Sequence, residues 1–167
     1  MEIRIRETGA VMYESELRSY LRANNGPSYD TLTQEVAEAL GVDVVLEGPQ
    51  ATGGTHYQYS QRSGVEQIDG KWYTKYILGP VFTDTPATET EPAKTAAENE
   101  AAYQANKDAE QATNVRASRT QLLKDSDWTQ IADSTANKAA WATYRQALRD
   151  VSTQSSFPWD ITWPDAP

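Results

Sequence analysis

The chain has no cysteine, one histidine, and only two phenylalanines and two methionines among its 167 residues. Without cysteine there is no disulfide framework and no thiolate metal site. His56 stands alone between Thr55 and Tyr57 on an expected strand, where it reads as a satisfied or exposed side chain rather than a general base. The shortage of Phe and Met leaves Trp, Tyr and short aliphatics to build any core. No run approaches the ~18 apolar residues of a membrane span. The first residues, MEIRIRE, carry charge where a secretory signal would be apolar. Basic residues are also few: 15 Lys and Arg against 24 Asp and Glu give a formal charge of -9, which opposes binding to a phosphate backbone. Neither a nucleic acid nor a membrane is therefore an expected partner.

Catalytic patterns are equally scarce. Gly53-Gly54 lacks the following Gly-Lys-Ser/Thr of a phosphate cradle. Asp125 with Asp127, or Glu89 with Glu91, would be the carboxylate pairs for glycoside hydrolysis. Residues two apart on a helix do not face each other, and the Glu pair lies in a solvated stretch. No catalytic, metal-binding or cofactor-binding residue is assigned, and the chain reads as non-enzymatic.

The residues that are present predict an α+β fold in three stretches. Over 1–83, EIRIRE alternates as a half-buried strand through Ile3 and Ile5, Gly9 marks a turn, and VMY returns as a second strand. SELRSYLRANNGP predicts a helix with Leu17, Tyr20 and Leu21 on one face and an Asn-Asn-Gly-Pro stop. TLTQEVAEALG predicts a second helix: Thr31 and Gln34 form a capping-box pattern, Leu32, Val36 and Leu40 share a face, and Gly41 suits C′. VDVVLEG reads as a strand. In VEQIDGKWYTKYIL, Asp69-Gly70 predicts a type I′ hairpin that sets Ile68 against Lys71 and Gln67 against Trp72. Val65, Trp72, Tyr76 and Leu78 are then the expected core face.

Residues 84–95, rich in Thr, Pro and Glu, read as an acidic linker. Residues 96–167 follow as a long Ala-rich helix and a C-terminal helical unit with an extended Trp/Pro tail. At heptad spacing Ala101, Ala105, Ala112, Val115 and Leu122 are apolar, while Asp108 and Arg119 interrupt. So little area makes the helix marginal alone, so residues 97–124 are expected to need a partner, a homo-oligomer being one option.

Four of the five Trp fall within the last forty residues, which hold only three basic and four acidic side chains. Ser134 or Thr135 is the expected cap of a helix whose Trp141, Tyr144, Leu148 and Val151 form one stripe. Arg145 and Arg149 lie i, i+4 beside it, tolerable if Asp125 or Asp127 approaches. Pro158 and Pro164 should hold an extended tail in which Trp159, Ile161 and Trp163 alternate.

LLKDSDW (122–128), AAWATYRQALRDV (139–151) and FPWDITWP (157–164), in this order, resemble the phage tail assembly chaperone family. The resemblance covers about residues 115 to 167. It implies a role in building the tail or tail fibres, with a phage tail or tail-fibre protein as partner and the host cytoplasm as the place of assembly. Two functions fit: an assembly chaperone released afterwards, or a structural adaptor retained in the virion tail. The aromatic cluster is either a small core or a partner surface. Trp128, Trp141 and Trp159 are assigned mainly to the core. Trp and Arg enrichment at binding hot spots makes Trp163, Trp159, Arg145, Arg149 and Tyr144 the candidate contact residues, with Trp163 foremost because it lies near the chain end. Glycan stacking on Trp159 or Trp163 is the remaining alternative.

Overall fold

A computed structural model describes residues 1–167, and the chain divides into two compact units, Met1–Val81 and Phe82–Pro167. The fold is α+β.

The first unit is built on a five-stranded mixed sheet in the order β2-β1-β3-β5-β4. Its elements are β1 (Glu2–Ile5), β2 (Val11–Tyr13), α1 (Glu14–Ala23), α2 (Gln34–Ala39), β3 (Val42–Leu46), β4 (Tyr59–Ile68) and β5 (Lys71–Gly79). β1 is antiparallel to β2 and β3, β3 runs parallel to β5, and β4 pairs antiparallel with β5. The alternation of Ile3 and Ile5 places both beneath Leu17 of α1 and Ala37 of α2, with Val42 completing the core. Thr33, not Thr31, caps α2, accepting from the Val36 amide at 3.3 Å. Leu32 and Leu40 pack against the core beside Ala37. Gly41 follows with φ +66°, as the C′ position requires.

The hairpin has the expected register, with Ile68 opposite Lys71 and Gln67 opposite Trp72, and positive φ at Asp69 and Gly70. The expected core face does not bury cleanly. A bulge between Arg62 and Val65 bends β4, and Val65, Trp72, Tyr76 and Leu78 all remain half-buried. No helix supplies apolar cover on this side. Instead the Arg4 guanidinium lies 4.0 Å over the Trp72 ring, and Arg62 reaches Glu2 at 2.7 Å. The stretch after β3 adds to this cover, with Gly54 against Leu78 and Glu47 accepting from the Tyr76 hydroxyl.

The second unit contains α3 (Ala96–Asp125), a 3-10 turn at Asp127–Gln130, α4 (Lys138–Asp150) and a second 3-10 turn at Val151–Thr153. Thr95 opens α3 with a reciprocal capping box: its hydroxyl accepts from the Glu98 amide, and Glu98 accepts from the Thr95 amide at 2.7 Å. The stretch before the helix is tied to it. Thr85 and Lys94 exchange two backbone bonds of 2.7 and 2.9 Å, Asp84 accepts from the Ala96 amide, and Asn99 donates to the Thr83 carbonyl. Ala112, Val115, Tyr144, Leu148 and Val151 are buried and hold α3 against α4. Ala101 and Ala105 are exposed, so only the C-terminal part of the heptad pattern faces this core. Asn137, rather than Ser134 or Thr135, caps α4 by accepting from the Ala140 amide at 3.2 Å. No helix is long and apolar enough to cross a membrane.

Candidate partner-binding surface

The α4 stripe holds as expected: Leu148 and Val151 are fully buried and Tyr144 nearly so. Trp141, one turn before Tyr144, is half-buried and meets its ring edge-on at 5.5 Å. Arg145 leaves the stripe sideways and spans to the end of α3. One Nη donates to the Leu123 carbonyl and to Ser126 Oγ, both at 2.7 Å, and the other to Asp127 Oδ1 at 2.8 Å. The carboxylate that sequence reasoning required is thus Asp127. This side chain closes the last turn of α3, where carbonyls lack intrahelical donors. Arg149 is exposed, with one contact to Gln146 Oε1 at 3.3 Å.

The tail opens in tight turns instead of running extended from Pro158. Phe157 N–H donates to the Gln154 carbonyl, Trp159 N–H to that of Ser156, and the Ser156 hydroxyl to the Asp160 carbonyl. Gln154 then brackets Thr162 with two bonds, its amide donating to the Thr162 carbonyl and its oxygen accepting from the Thr162 amide. Arg116 of α3 lies 5.4 Å over the Phe157 ring, and the Trp159 indole N–H donates to Asp108 at 2.6 Å. Asp108, an interruption in heptad terms, is therefore an anchor for the tail. Trp159 and Trp163 are both half-buried.

Of the five candidate contact residues, Trp159, Trp163 and Arg149 thus keep accessible surface. Tyr144 and Arg145 serve the packing beneath. The correction concerns Trp128, assigned to the core from sequence. It is 53% exposed, resting edge-on against Trp141 at a centroid distance of 5.7 Å. Ile131, three residues on, is 54% exposed.

The reason lies in what the same turn buries. Ser126 and Thr129 are almost fully enclosed. Ser126 Oγ contacts the Leu122 and Leu123 carbonyls at 2.9 Å and accepts from Arg145, while Thr129 Oγ1 donates to the Ser126 carbonyl at 2.6 Å. A 3-10 turn repeats every three residues. With 126 and 129 fixed inside, 128 and 131 are driven outside. Sequence reasoning misses this because hydropathy alone assigns a Trp to the core. The signal was the spacing itself, two small hydroxyl residues three apart interleaved with Trp and Ile three apart.

The arrangement leaves aromatic and aliphatic groups exposed on a hydrogen-bonded frame. Neither a curated protein nor a solved structure matches the chain. Residues 112–167, the segment that contains the Arg145 clamp, the exposed turn and the Trp tail, match the phage tail assembly chaperone protein family.

Proposed function

We propose that the chain acts without enzymatic chemistry in phage tail assembly, by binding a tail or tail-fibre protein through its C-terminal unit. The carrying observation is the coincidence of the family match, residues 112–167, with the unit that exposes Trp128 and Ile131. Trp159, Trp163 and Arg149 add accessible surface in this reading, and Tyr144 and Arg145 hold the frame. Large apolar groups left outside while hydroxyls go inside bury only part of their area within the unit. They suit an interface, where Trp is a preferred anchor. The test is genetic and structural together. Deleting the gene from the phage should leave heads intact and tails absent or fibreless by electron microscopy. Normal tails and full infectivity in the deletion would overturn the reading. Mass spectrometry of purified virions then separates a released chaperone from a retained adaptor.

A further inference from the structure

The turn at 125–133 has a charge character as well as an apolar one. Trp128 and Ile131 are the exposed anchors, and Asp125, Asp127 and Asp133 surround them in sequence, with no Lys or Arg inside the segment. The nearby cations are mostly committed. Arg145 is spent on Asp127 and the α3 terminus, and the Lys138 ammonium donates to the Ala132 carbonyl at 3.4 Å. Asp125 accepts only the uncharged Gln121 amide, at 2.7 Å. Lys124, next to Asp125 in the chain, and Lys138 are exposed cations. Asp125, three residues before the 53% exposed Trp128, and Asp133, five after it, thus make no ion pair, in a chain of net charge -9. An indole face with carboxylates beside it favours an approaching guanidinium or ammonium, through the ring quadrupole and by ion pairing.

We propose that residues 125–133 form a docking ledge for a Lys- or Arg-bearing segment of a phage tail protein, anchored by an apolar side chain between Trp128 and Ile131. The proposal rests on the tail-assembly reading above and names the partner's chemistry at that unit. The ledge is preorganised, since Ser126, Thr129 and Arg145 fix its backbone before any partner arrives, so little order has to be imposed on binding. The acidic rim supplies steering and register, and the apolar pair supplies the anchor.

The test uses the full chain in phage-producing cells, with a photo-crosslinking phenylalanine analogue at position 128 or, separately, 131, and the same analogue at Tyr20 as control. The expected product joins 128 and 131, but not 20, to one tail protein, at a segment with excess Lys and Arg beside Leu, Ile or aromatic residues. That segment, made as a synthetic peptide, should bind the wild-type chain with affinity that falls as salt rises. Asp125→Asn with Asp133→Asn should weaken it about tenfold and flatten the salt dependence, and Trp128→Ala should weaken it more. Asp125 and Asp133 are exposed, so the Asp variants should melt like wild type, while Trp128→Ala gives up its edge contact with Trp141 and should melt slightly lower. Crosslinks to a second copy of the chain, to an acidic or uncharged segment, or to nothing would overturn the proposal, as would full affinity in the Asp variants. Its failure is separable from that of the broader reading. Tails lost on gene deletion but normal in the Trp128→Ala/Ile131→Ala phage would remove the ledge and leave the assembly role standing.

Discussion

In the N-terminal unit, Ile3, Ile5, Leu17 and Val42 lie inside, and the charged neighbours Glu2, Arg4 and Asp43 pair with one another or with Arg6 and Arg62 across the opposite face. In the C-terminal unit, the turn after α3 does the reverse: Ser126 and Thr129 are buried and Trp128 and Ile131 are left out. The first arrangement follows from alternation in strands, where each residue's face is set by its neighbour's. In the second, a side chain from another helix, Arg145, donates to Ser126 Oγ, and Thr129 Oγ1 donates to the Ser126 carbonyl. A place where local polarity runs backwards while both buried hydroxyls are hydrogen-bonded is where function is expected to have set the sequence.

The largest expected effect tests whether the two units are separate in energy as well as in contacts. Leu17 is 1% and Leu148 0% exposed. Truncating a buried Leu to Ala costs about 2–5 kcal/mol, a large share of the roughly 5–15 kcal/mol that holds a domain. By calorimetry and amide exchange, Leu17→Ala should abolish the transition of 1–81 alone, and Leu148→Ala that of 82–167 alone. Loss of both transitions in either variant would merge the units into one cooperative body.

How much of this was legible in the sequence differs between the units for the same physical reason. Hairpin register and strand identity were legible because Asp-Gly turn chemistry and period-two alternation are local signals. The α4 stripe was legible because Tyr144, Leu148 and Val151 keep helical spacing. The linker reading missed the pairing of Thr85 with Lys94, because two isolated backbone bonds leave no side-chain pattern. Thr95-Ala-Ala-Glu98 did carry a capping-box signature at the start of α3. The exposure of Trp128 was not legible from hydropathy, which places a Trp inside, and the guanidinium that meets Ser126 arrives from nineteen residues beyond it. Asp108 was misjudged likewise, because its partner Trp159 lies 51 residues away.

A smaller effect is expected from that guanidinium, and it sharpens the contrast between the units. Arg145→Ala removes a charged donor from Ser126 Oγ and from the Leu123 carbonyl, which keeps the Ser126 amide and hydroxyl, at a cost of about 1–3 kcal/mol. The Asp127 contribution is minor, because that carboxylate is 65% exposed and an ion pair there is well screened. The melting of 82–167 should fall by several degrees with that of 1–81 unchanged. Trp128 fluorescence should become more accessible to acrylamide as the turn loosens. Arg145→Lys should recover little, since one ammonium cannot fork across the three acceptors. Wild-type melting and quenching in Arg145→Ala would mean that the turn is inverted by its own sequence and not by the clamp.

The smallest effect concerns the start of α3 and shows itself in acid. The backbone amide of Thr95, and then its hydroxyl, donate to Glu98 and hold its carboxyl below the ordinary carboxylate range. A group whose pKa is lowered by folding stabilises the folded state above its unfolded pKa, and that contribution is lost as pH falls through the folded pKa. The window therefore opens at about pH 4.3, the ordinary glutamate value, and extends below it. Glu98 is exposed, so the consequence is local fraying and not unfolding. Exchange of the first-turn amides of α3 should quicken relative to those around Val115 as pH is lowered through this window, after correction for intrinsic rates. Glu98→Gln should remove the pH dependence while keeping part of the protection, since an uncharged amide oxygen can still accept from Thr95. Thr95→Ala should quicken exchange at every pH, because the helix then loses the acceptor for the Glu98 amide. If Glu98→Gln retains the wild-type acid profile, the carboxylate is not what closes this end, and the ties from Asp84 and Asn99 hold the first turn instead.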